Sequence, residues 1–468
     1  MWVNHVIAVI HIIAMISVVF IEHKKPMEAL LWVVVISLLP VVGLALYACL
    51  GSTFRIKVHH FARGKKLDTT LLETLPIEPA DPVAFALLDV AQAEMATFNE
   101  SYNDSILSLH NSAEIITSGR EKYARLFSDI KNAKQSVNLV YYGLHYDRIG
   151  KELVAILTEK AKEGVRVRVL FDGMGSLFTP RRMFLQFVAA GGYVKKIRPS
   201  FTHFRNHRKI VVIDGLVGYT GGMNIGIKYV GALKNKSPWR DTQIRMEGDA
   251  VHFLQYYFYY DWFCANSKPN ISTAEIEQAF PAHGVTDELP CQVVGGGVDT
   301  DAEMIKLAYI RLVNSAKKRI VLQTPYFIPD DSLLNALKIA LASGVEVILM
   351  LPGRKSSFFL EPVSNYYIDA LLPYGLRVYK YDGYIHAKTV TVDDCATCIG
   401  TANVDVRSLE LDDEICVLFY DRVFTKEHIK VIEEDLRNSA PLDTAKFLKR
   451  SLLKKAKERF FKLFAPLM

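Results

Sequence analysis

The sequence predicts an α/β protein that is built from two similar halves and preceded by two transmembrane helices. Two long segments resemble each other: "AKQSVNLVYYGLHYD…KAKEGVRVRVLFDG" begins at Ala133, and "AKKRIVLQTPYFIPD…ALASGVEVILMLPG" begins at Ala316. Each indicates the end of a helix, a buried strand, an amphipathic helix, and a second buried strand that opens with Gly-Val. Strands separated by helices are typical of α/β layer structures, so the duplication predicts this unit twice.

A short motif recurs at the same place in both segments. "HFRNHRKIVVID" places His207 and Lys209 before an apolar run, and "YIHAKTVTVDD" places His386 and Lys388 in the same way. In a strand, residues i and i+2 share a face, so each His and its Lys point in the same direction. An Asp and then a Gly-x-x-Asn follow at matching spacings. The full set is His207, Lys209, Asp214, Asn224, His386, Lys388, Asp393 and Asn403.

These residue types suit a tetrahedral anion, most simply a phosphoryl group. Two Lys and two Asn amides would supply positive charge and hydrogen-bond donors. One His can attack phosphorus and the other can protonate the leaving oxygen, but the spacing alone does not say which. We group Asp214 and Asp393 with the catalytic motifs. Their odd offset from the His nevertheless predicts that they face away and serve the fold.

HxKxxxxD followed by GGxN or GTxN, twice, resembles the phospholipase D superfamily. "WRDTQIRMEG", "QTPYFIPD" and "GTANVDVRSLELDDE" resemble the bacterial cardiolipin synthases of that superfamily, and the resemblance covers nearly the whole chain. It implies two duplicated phospholipase D-type α/β/α sandwich domains, packed face to face with one shared active site. It also implies a phosphohistidine intermediate, usually on the His of the first motif, and neither a catalytic metal nor a cofactor.

The resemblance implies a role for each matching residue. His207 would be the nucleophile, and His386 would act as general acid and then as general base. Glu414 matches the acidic residue that orients a motif His through its other ring nitrogen. Asp241, in "WRD", is the candidate partner of the other His; the alternative is an ordinary strand-edge charge. Asp412 departs from the pattern, because close relatives often have Asn there. The residues that would hold the phosphoryl oxygens are Lys209, Lys388, Asn224 and Asn403.

The expected reaction transfers a phosphatidyl group from one phosphatidylglycerol to another, which yields cardiolipin and releases glycerol. The sequence contains neither a P-loop nor a dinucleotide-binding fingerprint. The motif does not say whether water or an alcohol attacks in the second step, so a phospholipase D or another headgroup-exchanging enzyme is the main alternative. A nuclease or a non-catalytic binder of anionic lipid fits less well, because the catalytic region is near neutral and both motifs are complete. No nucleic-acid partner is expected, and the sequence does not indicate an oligomeric state.

The N-terminus predicts a membrane hairpin. The runs Val3–Ile21 and Ala29–Gly51 are each close to the ~20 apolar residues that a spanning helix needs. A cleaved signal peptide followed by a core helix fits less well, because "MWVNH" has no Lys or Arg and no A-x-A site follows. Basic residues follow the second run. The positive-inside rule therefore predicts a multi-pass protein of the cytoplasmic (inner) membrane, with its catalytic region in the cytoplasm.

The C-terminal tail holds most of the excess positive charge. The net charge is +6, and residues 446–468 contain eight Lys or Arg and one Glu, so the rest of the chain is near neutral. The tail predicts either a helix on the surface of an anionic membrane or a helix packed on its own domain. Its predicted apolar face comprises Leu448, Leu452, Ala456, Phe460, Leu463 and Leu467.

Five segments are expected along the chain. Residues 1–52 would form the transmembrane hairpin, and residues 53–108 a linker with helical structure. The two phospholipase D-like domains would cover residues 109–280 and 281–442. Residues 443–468 would form the basic amphipathic helix.

Overall fold

A computed structural model describes residues 2–21, 26–47, 85–197, 204–231, 238–266, 271–297, 303–354 and 358–465. The strands of the first half are β1 (Ser108–Ile116), β2 (Ser136–Tyr141), β3 (Arg166–Phe171), β4 (Tyr193–Lys196), β5 (Lys209–Ile213), β6 (Val217–Gly221), β7 (Trp239–Arg240) and β8 (Gln243–Gly248). The strands of the second half are β9 (Glu288–Gly296), β10 (Arg319–Gln323), β11 (Phe327–Ile328), β12 (Glu346–Pro352), β13 (Arg377–Tyr381), β14 (Tyr384–Ile385), β15 (Thr389–Val392), β16 (Ala396–Gly400), β17 (Val404–Asp405), β18 (Glu414–Phe419) and β19 (Ser439–Pro441).

Helices alternate with these strands. The helices before and within the first half are α1 (Trp2–Ile16), α2 (Pro26–Leu38), α3 (Pro40–Leu46), α4 (Val90–Asn103), α5 (Gly119–Asn132), α6 (Arg148–Lys162), α7 (Leu185–Ala189), α8 (Asp249–Ala265) and α9 (Thr273–Gln278). Those of the second half and the tail are α10 (Met304–Ser315), α11 (Asp331–Ala342), α12 (Leu360–Leu371), α13 (Val406–Glu410), α14 (Arg422–Arg437), α15 (Thr444–Leu448) and α16 (Leu452–Lys462). Short 3-10 turns lie at Arg181–Phe184, Ile227–Val230 and Leu372–Tyr374.

Fifteen strands form one continuous sheet in which the two halves meet at the antiparallel β1–β9 pair. The order is β19-β13-β12-β10-β15-β16-β18-β9-β1-β8-β6-β5-β2-β3-β4. In the first half, β2 lies parallel to β3 and antiparallel to β5; in the second, β10 lies parallel to β12 and antiparallel to β15. The expected duplicated α/β fold is confirmed by this repeated topology.

The two halves also share a buried core. Ile210 and Val212 of β5 belong to the same cluster as Ile399 of β16 and Val417 of β18, and Phe258 of α8 packs among them. Strands that are covered on both faces need apolar side chains on both faces, which explains the continuous apolar run Ile210–Ile213 after the first motif. After the second motif, Val390 and Val392 are buried in the core of the second half. Because β15 pairs with β16, which contributes to the shared core, this core positions both motifs relative to each other.

Helix α4 precedes the first half in sequence but packs on the second. The Gln92 side chain donates to the carbonyl of Cys395 at 2.8 Å, and the Asn99 side chain donates to the hydroxyl of Tyr420 at 2.9 Å. Met95 is buried in the core of the second half. This helix lies in the segment that the sequence predicts as a linker, and it joins the start of the catalytic region to its end.

The N-terminal segment differs from the predicted pair of uninterrupted spans. Among the described residues, no helix combines the length and the apolar character required to cross a membrane. The first predicted run, Val3–Ile21, is helix α1 continued by a π-helical turn at Ser17–Ile21. The second, Ala29–Gly51, is divided at Leu39, where φ is −125° and ψ is 74°. Pro40 is the physical reason, because its ring disfavours the helical conformation in the preceding residue.

These helices form a small packed unit with an apolar exterior. Ala14 and Val18 are buried against Ile36 and Tyr47. The basic residues around the predicted spans lie in residues 22–25 and 48–84, outside the described residues. The large apolar side chains that remain exposed include Ile12, Ile13, Val19, Phe20, Leu30, Leu31, Leu38 and Val41.

The C-terminal tail forms two short helices, α15 and α16, and α16 packs against α12. Phe461 contacts the rings of Phe358 and Phe359, and an ion pair joins Arg450 to Glu458 at 2.9 Å. The side chains that pack are thus not those of the predicted apolar face. The described members of that face are exposed: Leu448, Leu452, Ala456, Phe460 and Leu463.

The motif aspartates lie at the ends of β5 and β15 that are opposite to the motif lysines. Asp214 and Asp393 have φ values of 55° and 52°, in the left-handed region that short polar side chains tolerate. Each carboxylate accepts three backbone N–H groups at 2.7–2.9 Å. The donors are Lys134, Gln135 and Ser136 for Asp214, and Lys317, Lys318 and Arg319 for Asp393. We therefore assign both residues a structural role in place of the catalytic one.

We predict that Asp214→Ala destabilises the protein without removing the chemistry. It leaves three N–H groups unpaired and places Ala at positive φ, which together cost roughly 2–4 kcal/mol. The thermal midpoint should fall, whereas turnover per folded molecule should stay close to that of the wild type. Asp214→Asn keeps an acceptor and tolerates the backbone angle. Its thermal midpoint should therefore lie between those of the wild type and Asp214→Ala. An unchanged midpoint with lost turnover would contradict this assignment.

Candidate active site

The two motif histidines are held by backbone pairing with the opposite half. The N–H of His207 donates to the carbonyl of Asp413 at 2.8 Å, beside a bridge between Asn206 and Asp413. The N–H of His386 donates to the carbonyl of Arg240 at 2.6 Å, where β14 lies parallel to β7. The backbone at the start of each motif is therefore held by a residue of the other half.

The carboxylates that contact the imidazoles also come from the opposite half. His207 Nδ1 lies 2.7 Å from an oxygen of Glu414, and His386 Nδ1 lies 2.7 Å from an oxygen of Asp241. Both carboxylates are fully buried. A carboxylate beside Nδ1 favours the tautomer with a proton on that nitrogen, so each Nε2 keeps a lone pair.

The second oxygen of each carboxylate is also fixed. The hydroxyl of Thr401 donates to Glu414 at 2.5 Å, and the N–H of Thr242 donates to Asp241 at 2.8 Å. Gly222 occupies the place in the first half that Thr401 occupies in the second. A Cβ added at Gly222 would lie 1.9 Å from the Asp241 carboxylate. The GGxN pattern of the first half therefore needs glycine at this position.

A buried Arg–Asp pair holds the backbone carbonyl of each of these two acidic residues. Arg208 pairs with Asp261 at 2.5 Å and donates to the carbonyl of Glu414 at 3.1 Å. Arg240 makes a bidentate pair with Asp435, at 2.7 and 2.8 Å, and donates to the carbonyl of Asp241. These four residues are not among the predicted site residues, because Asp261 and Asp435 lie on helices α8 and α14, far from the motifs in sequence.

The site concentrates buried charge. Burial lowers the pKa of Lys209 to about 7 and that of Lys388 to about 8, although Glu414 and Asp241 oppose the shift. Burial alone would raise the pKa of the two carboxyls, but the facing imidazoles and lysines hold both below their ordinary values. Two cations and two anions therefore balance, and a bound phosphoryl anion would change that balance.

Both imidazoles are neutral at physiological pH. Burial and the nearby lysines lower the pKa of His207 to about 4 and that of His386 to about 3. A neutral imidazole with an unprotonated Nε2 can act as a nucleophile or as a base. To act as an acid, an imidazole must first gain a proton. A neighbouring anion would favour this protonation.

The two motif asparagines differ. The Asn224 amide is occupied on both sides: its oxygen accepts the N–H of Gly143 at 2.8 Å, and its nitrogen donates to the hydroxyl of Tyr229 at 2.9 Å. The oxygen of Asn403 is buried without a protein partner. Asn224 therefore braces its own loop, whereas the Asn403 amide lacks the equivalent bond to its oxygen.

The chain matches two known families in three segments, and individual relatives over almost its whole length. Residues 126–236 and 309–436 match the "Cardiolipin synthase, PLD-like domain" family, and residues 9–52 match the "Phospholipase_D-nuclease N-terminal" family. The major cardiolipin synthase of Bacillus subtilis is 38% identical, with 98% of each chain covered. A cardiolipin synthase of Listeria monocytogenes is 36% identical, over 96% of this chain and 95% of that one.

The chain belongs to the cardiolipin synthase family of phospholipase D-like proteins. Its fold resembles that of a phosphatidylserine synthase from Haemophilus influenzae, with a TM-score of 0.59 at 16% identity over 80% of this chain and 98% of the other. At that identity the likeness concerns the fold alone. The α/β architecture is thus shared with that phosphatidylserine synthase.

In this cardiolipin synthase family member, aromatic rings flank both imidazoles. Tyr142 meets His207 edge-on with ring centroids 4.8 Å apart, and Trp239 lies 5.1 Å from His386. Tyr384 stacks on Trp239 at 4.7 Å. Sequence analysis did not select these rings. Their positions carried a signal, because Trp239 and Tyr384 lie two residues before Asp241 and His386.

We predict that the site binds phosphodiesters more weakly as the pH rises through 7–8. Lys209 and Lys388 lose their protons in that interval when the site is free, so binding above it must restore a proton. For glycerophosphoglycerol, whose charge is constant over this range, calorimetry should give an affinity at pH 9 at least roughly tenfold below that at pH 6.

The control is Lys388→Arg, which keeps a positive charge throughout. Its affinity should depend less steeply on pH than that of the wild type. An affinity that is equal at pH 6 and pH 9 in the wild type would contradict the lowered lysine pKa values.

Proposed function

We propose that this protein joins two phosphatidylglycerol molecules into cardiolipin and releases glycerol. Membership of the cardiolipin synthase family supports the reaction. The observation that supports the mechanism is the convergence of both His-x-Lys motifs, each completed by a carboxylate from the other half. Such a convergence would give one shared site with two imidazoles, one for nucleophilic attack and one for proton transfer in a reaction of two displacement steps.

In the first step, Nε2 of His207 attacks the phosphorus of one phosphatidylglycerol. A bond forms between nitrogen and phosphorus, the bond from phosphorus to the glycerol oxygen breaks, and His386 donates a proton to that oxygen. Glu414 stabilises the positive imidazole that forms. The product is a phosphatidyl group on His207 and free glycerol.

The proton on His386 arrives with the substrate. In the free site this imidazole is neutral, because burial beside Lys388 holds its pKa at about 3. A phosphodiester anion between Lys209 and Lys388 would offset the lysine charges and raise that pKa, so protonation is coupled to binding. Asp241 contributes by holding Nδ1 and by stabilising the imidazolium.

In the second step, the terminal hydroxyl of another phosphatidylglycerol replaces the imidazole of His207. His386, now neutral, takes the hydroxyl proton. In both steps the phosphoryl oxygens are held by Lys209, Lys388 and Asn403. The positive charge of the two lysines serves the purpose that a metal ion would have. The roles of Asp214 and Asp393 are to fix the ends of β5 and β15.

The membrane location rests on two apolar surfaces. The N-terminal helical hairpin exposes large aliphatic side chains, which favours insertion in a bilayer with the catalytic halves on the cytoplasmic side. The tail exposes Leu452 and Leu453, at 85% and 84%, among basic residues. Such a surface suits anionic membranes, and phosphatidylglycerol and cardiolipin are both anionic.

Purified protein should convert labelled phosphatidylglycerol, with no other lipid present, into cardiolipin and glycerol in equal amounts. It should do so in excess chelator, because the charge on phosphorus is met by lysines. Chromatography that resolves cardiolipin, phosphatidic acid and glycerol gives the result. Phosphatidic acid as the main product would instead make the protein a phospholipase D. An absolute metal requirement in the chemical step would refute the charge argument.

The two histidine variants should behave differently. His207→Ala should abolish both turnover and the covalent adduct, because it removes the proposed nucleophile. His386→Ala should slow turnover by roughly 100-fold or more, yet form the adduct from a phosphodiester with a good leaving group. Mass spectrometry of the trapped protein locates the phosphoryl group. Its presence on His386 in the wild type would reverse the assignment.

Leu452→Ser combined with Leu453→Ser should weaken binding to phosphatidylglycerol vesicles and leave activity on detergent-dispersed substrate intact. Both side chains are exposed, so the change removes membrane contacts without opening the core. Co-sedimentation of the chain from residue 85 onward, across a salt series, measures the effect. Leu185→Ser, at an exposed position of α7, is the matched control. Equal binding by both variants and by the wild type would show that the tail does not contact the membrane.

A further inference from the structure

The two halves of the site are equivalent in their motifs but not in the side chains around them. Trp239 lies two residues before Asp241, and Asp412 lies two residues before Glu414. The backbone pairing is also equivalent, since the next residue in each case accepts the N–H of a motif His. The duplicated fold therefore places an aromatic ring beside His386 where it places a carboxylate near His207.

A cation accompanies each of these side chains. Lys228 and Arg407 both lie four residues after a motif Asn. Arg407 Nε donates to Asp412 at 3.1 Å. Lys228 Nζ lies over two rings, 5.2 Å from the centroid of Trp239 and 4.9 Å from that of Tyr229. Arg407 thus contacts a carboxylate next to the Glu414 strand, and Lys228 contacts the aromatic rings beside His386.

The charge of Lys228 reaches the reacting groups. Its ammonium and the ring of His386 are both neighbours of Trp239, at 5.2 and 5.1 Å from that ring. Burial is the main cause of the lowered pKa of Lys388, and the positive charge of Lys228 adds to it. Lys228 therefore contacts the same aromatic ring as His386, within the electrostatic range of Lys388.

The direction of attack decides which molecule meets this cation. If His207 attacks in line, the glycerol leaves on the side of His386, and the acceptor alcohol enters on the same side. The acceptor is itself a phosphatidylglycerol, so its own phosphate follows the attacking hydroxyl after a three-carbon bridge. Water and simple alcohols carry no such second phosphate.

We propose that Lys228, positioned over Trp239, binds the phosphate of the acceptor phosphatidylglycerol and thereby favours transfer over hydrolysis. This specificity role rests on the proposed transfer reaction and on His207 as the nucleophile. The acceptor oxygen bonds to phosphorus as the phosphorus–nitrogen bond to His207 breaks. The electrons of that bond return to His207, and the hydroxyl proton passes to Nε2 of His386. Lys228 takes no part in bond making; it holds the incoming lipid.

The test compares acceptors with and without a phosphate. Full-length protein receives phosphatidylglycerol and labelled glycerol in mixed micelles. Incorporation of the label into phosphatidylglycerol reports transfer to a neutral alcohol, and cardiolipin reports transfer to a phosphate-bearing one. Lys228→Gln should lower the ratio of cardiolipin formation to glycerol exchange by roughly tenfold or more, the usual worth of a charge-assisted hydrogen bond. Phosphatidic acid should rise relative to cardiolipin.

Two variants complete the test. Lys228→Arg should keep a ratio close to that of the wild type, because the charge remains. Lys134→Gln removes an exposed lysine at the opposite end of β2, and it should change nothing. An unchanged ratio of cardiolipin formation to glycerol exchange in Lys228→Gln, with or without an equal loss of both, would overturn the proposal. A wild-type protein that exchanges glycerol but makes no cardiolipin would instead refute the proposed function.

Discussion

The structure depends on two carboxylate–imidazole contacts that cross between the halves. His207 of the first half contacts Glu414 of the second, and His386 of the second contacts Asp241 of the first, both at 2.7 Å. Neither half contains a complete site. The duplication of a single motif thus yields one catalytic centre only when the two copies pack together through the shared core and the β1–β9 pair.

These contacts between the halves explain why many polar and charged side chains are buried there. Isolated buried charges are costly, so each must be paired and hydrogen-bonded. Glu414 and Asp241 are balanced by the motif lysines, and their carbonyls are held by arginines that are themselves paired with buried aspartates. Removing one member leaves its partner uncompensated. The network therefore favours the single arrangement in which each motif imidazole is held by a carboxylate of the other half.

Much of this could be predicted from the sequence, because a duplication reveals itself by spacing. The repeated strand and helix order and the His-x-Lys motifs followed from matching offsets, and the two carboxylates followed from the resemblance to the family. Which half supplies which carboxylate did not, since 207 positions separate His207 from Glu414 and only tertiary packing joins them. The Arg208–Asp261 pair was missed for the same reason: a single Asp on helix α8 has no local pattern.

The two ends of the chain show where a hydrophobic pattern misleads. The run Ala29–Gly51 satisfies the apolar criterion for a span, but the pattern carries no penalty for Pro40, which divides the helix. In the tail, helical spacing selected Leu452 and Phe460, whereas the structure packs Phe461 against Phe358 and Phe359. A periodic pattern identifies an amphipathic helix, but it does not say which neighbour covers it.

The crossed contacts are tested most directly by the rate of adduct formation from a phosphodiester with a leaving group that needs no proton. Glu414→Gln, although it lies in the second half, should slow phosphorylation of His207 by roughly 100-fold or more, since it removes the charge that supports the imidazolium. Asp241→Asn, in the same half as His207, should leave that rate nearly unchanged. Rapid-quench measurement of both variants decides. If Asp241→Asn slows the adduct and Glu414→Gln does not, each half supplies its own carboxylate and the account of a crossed site is wrong.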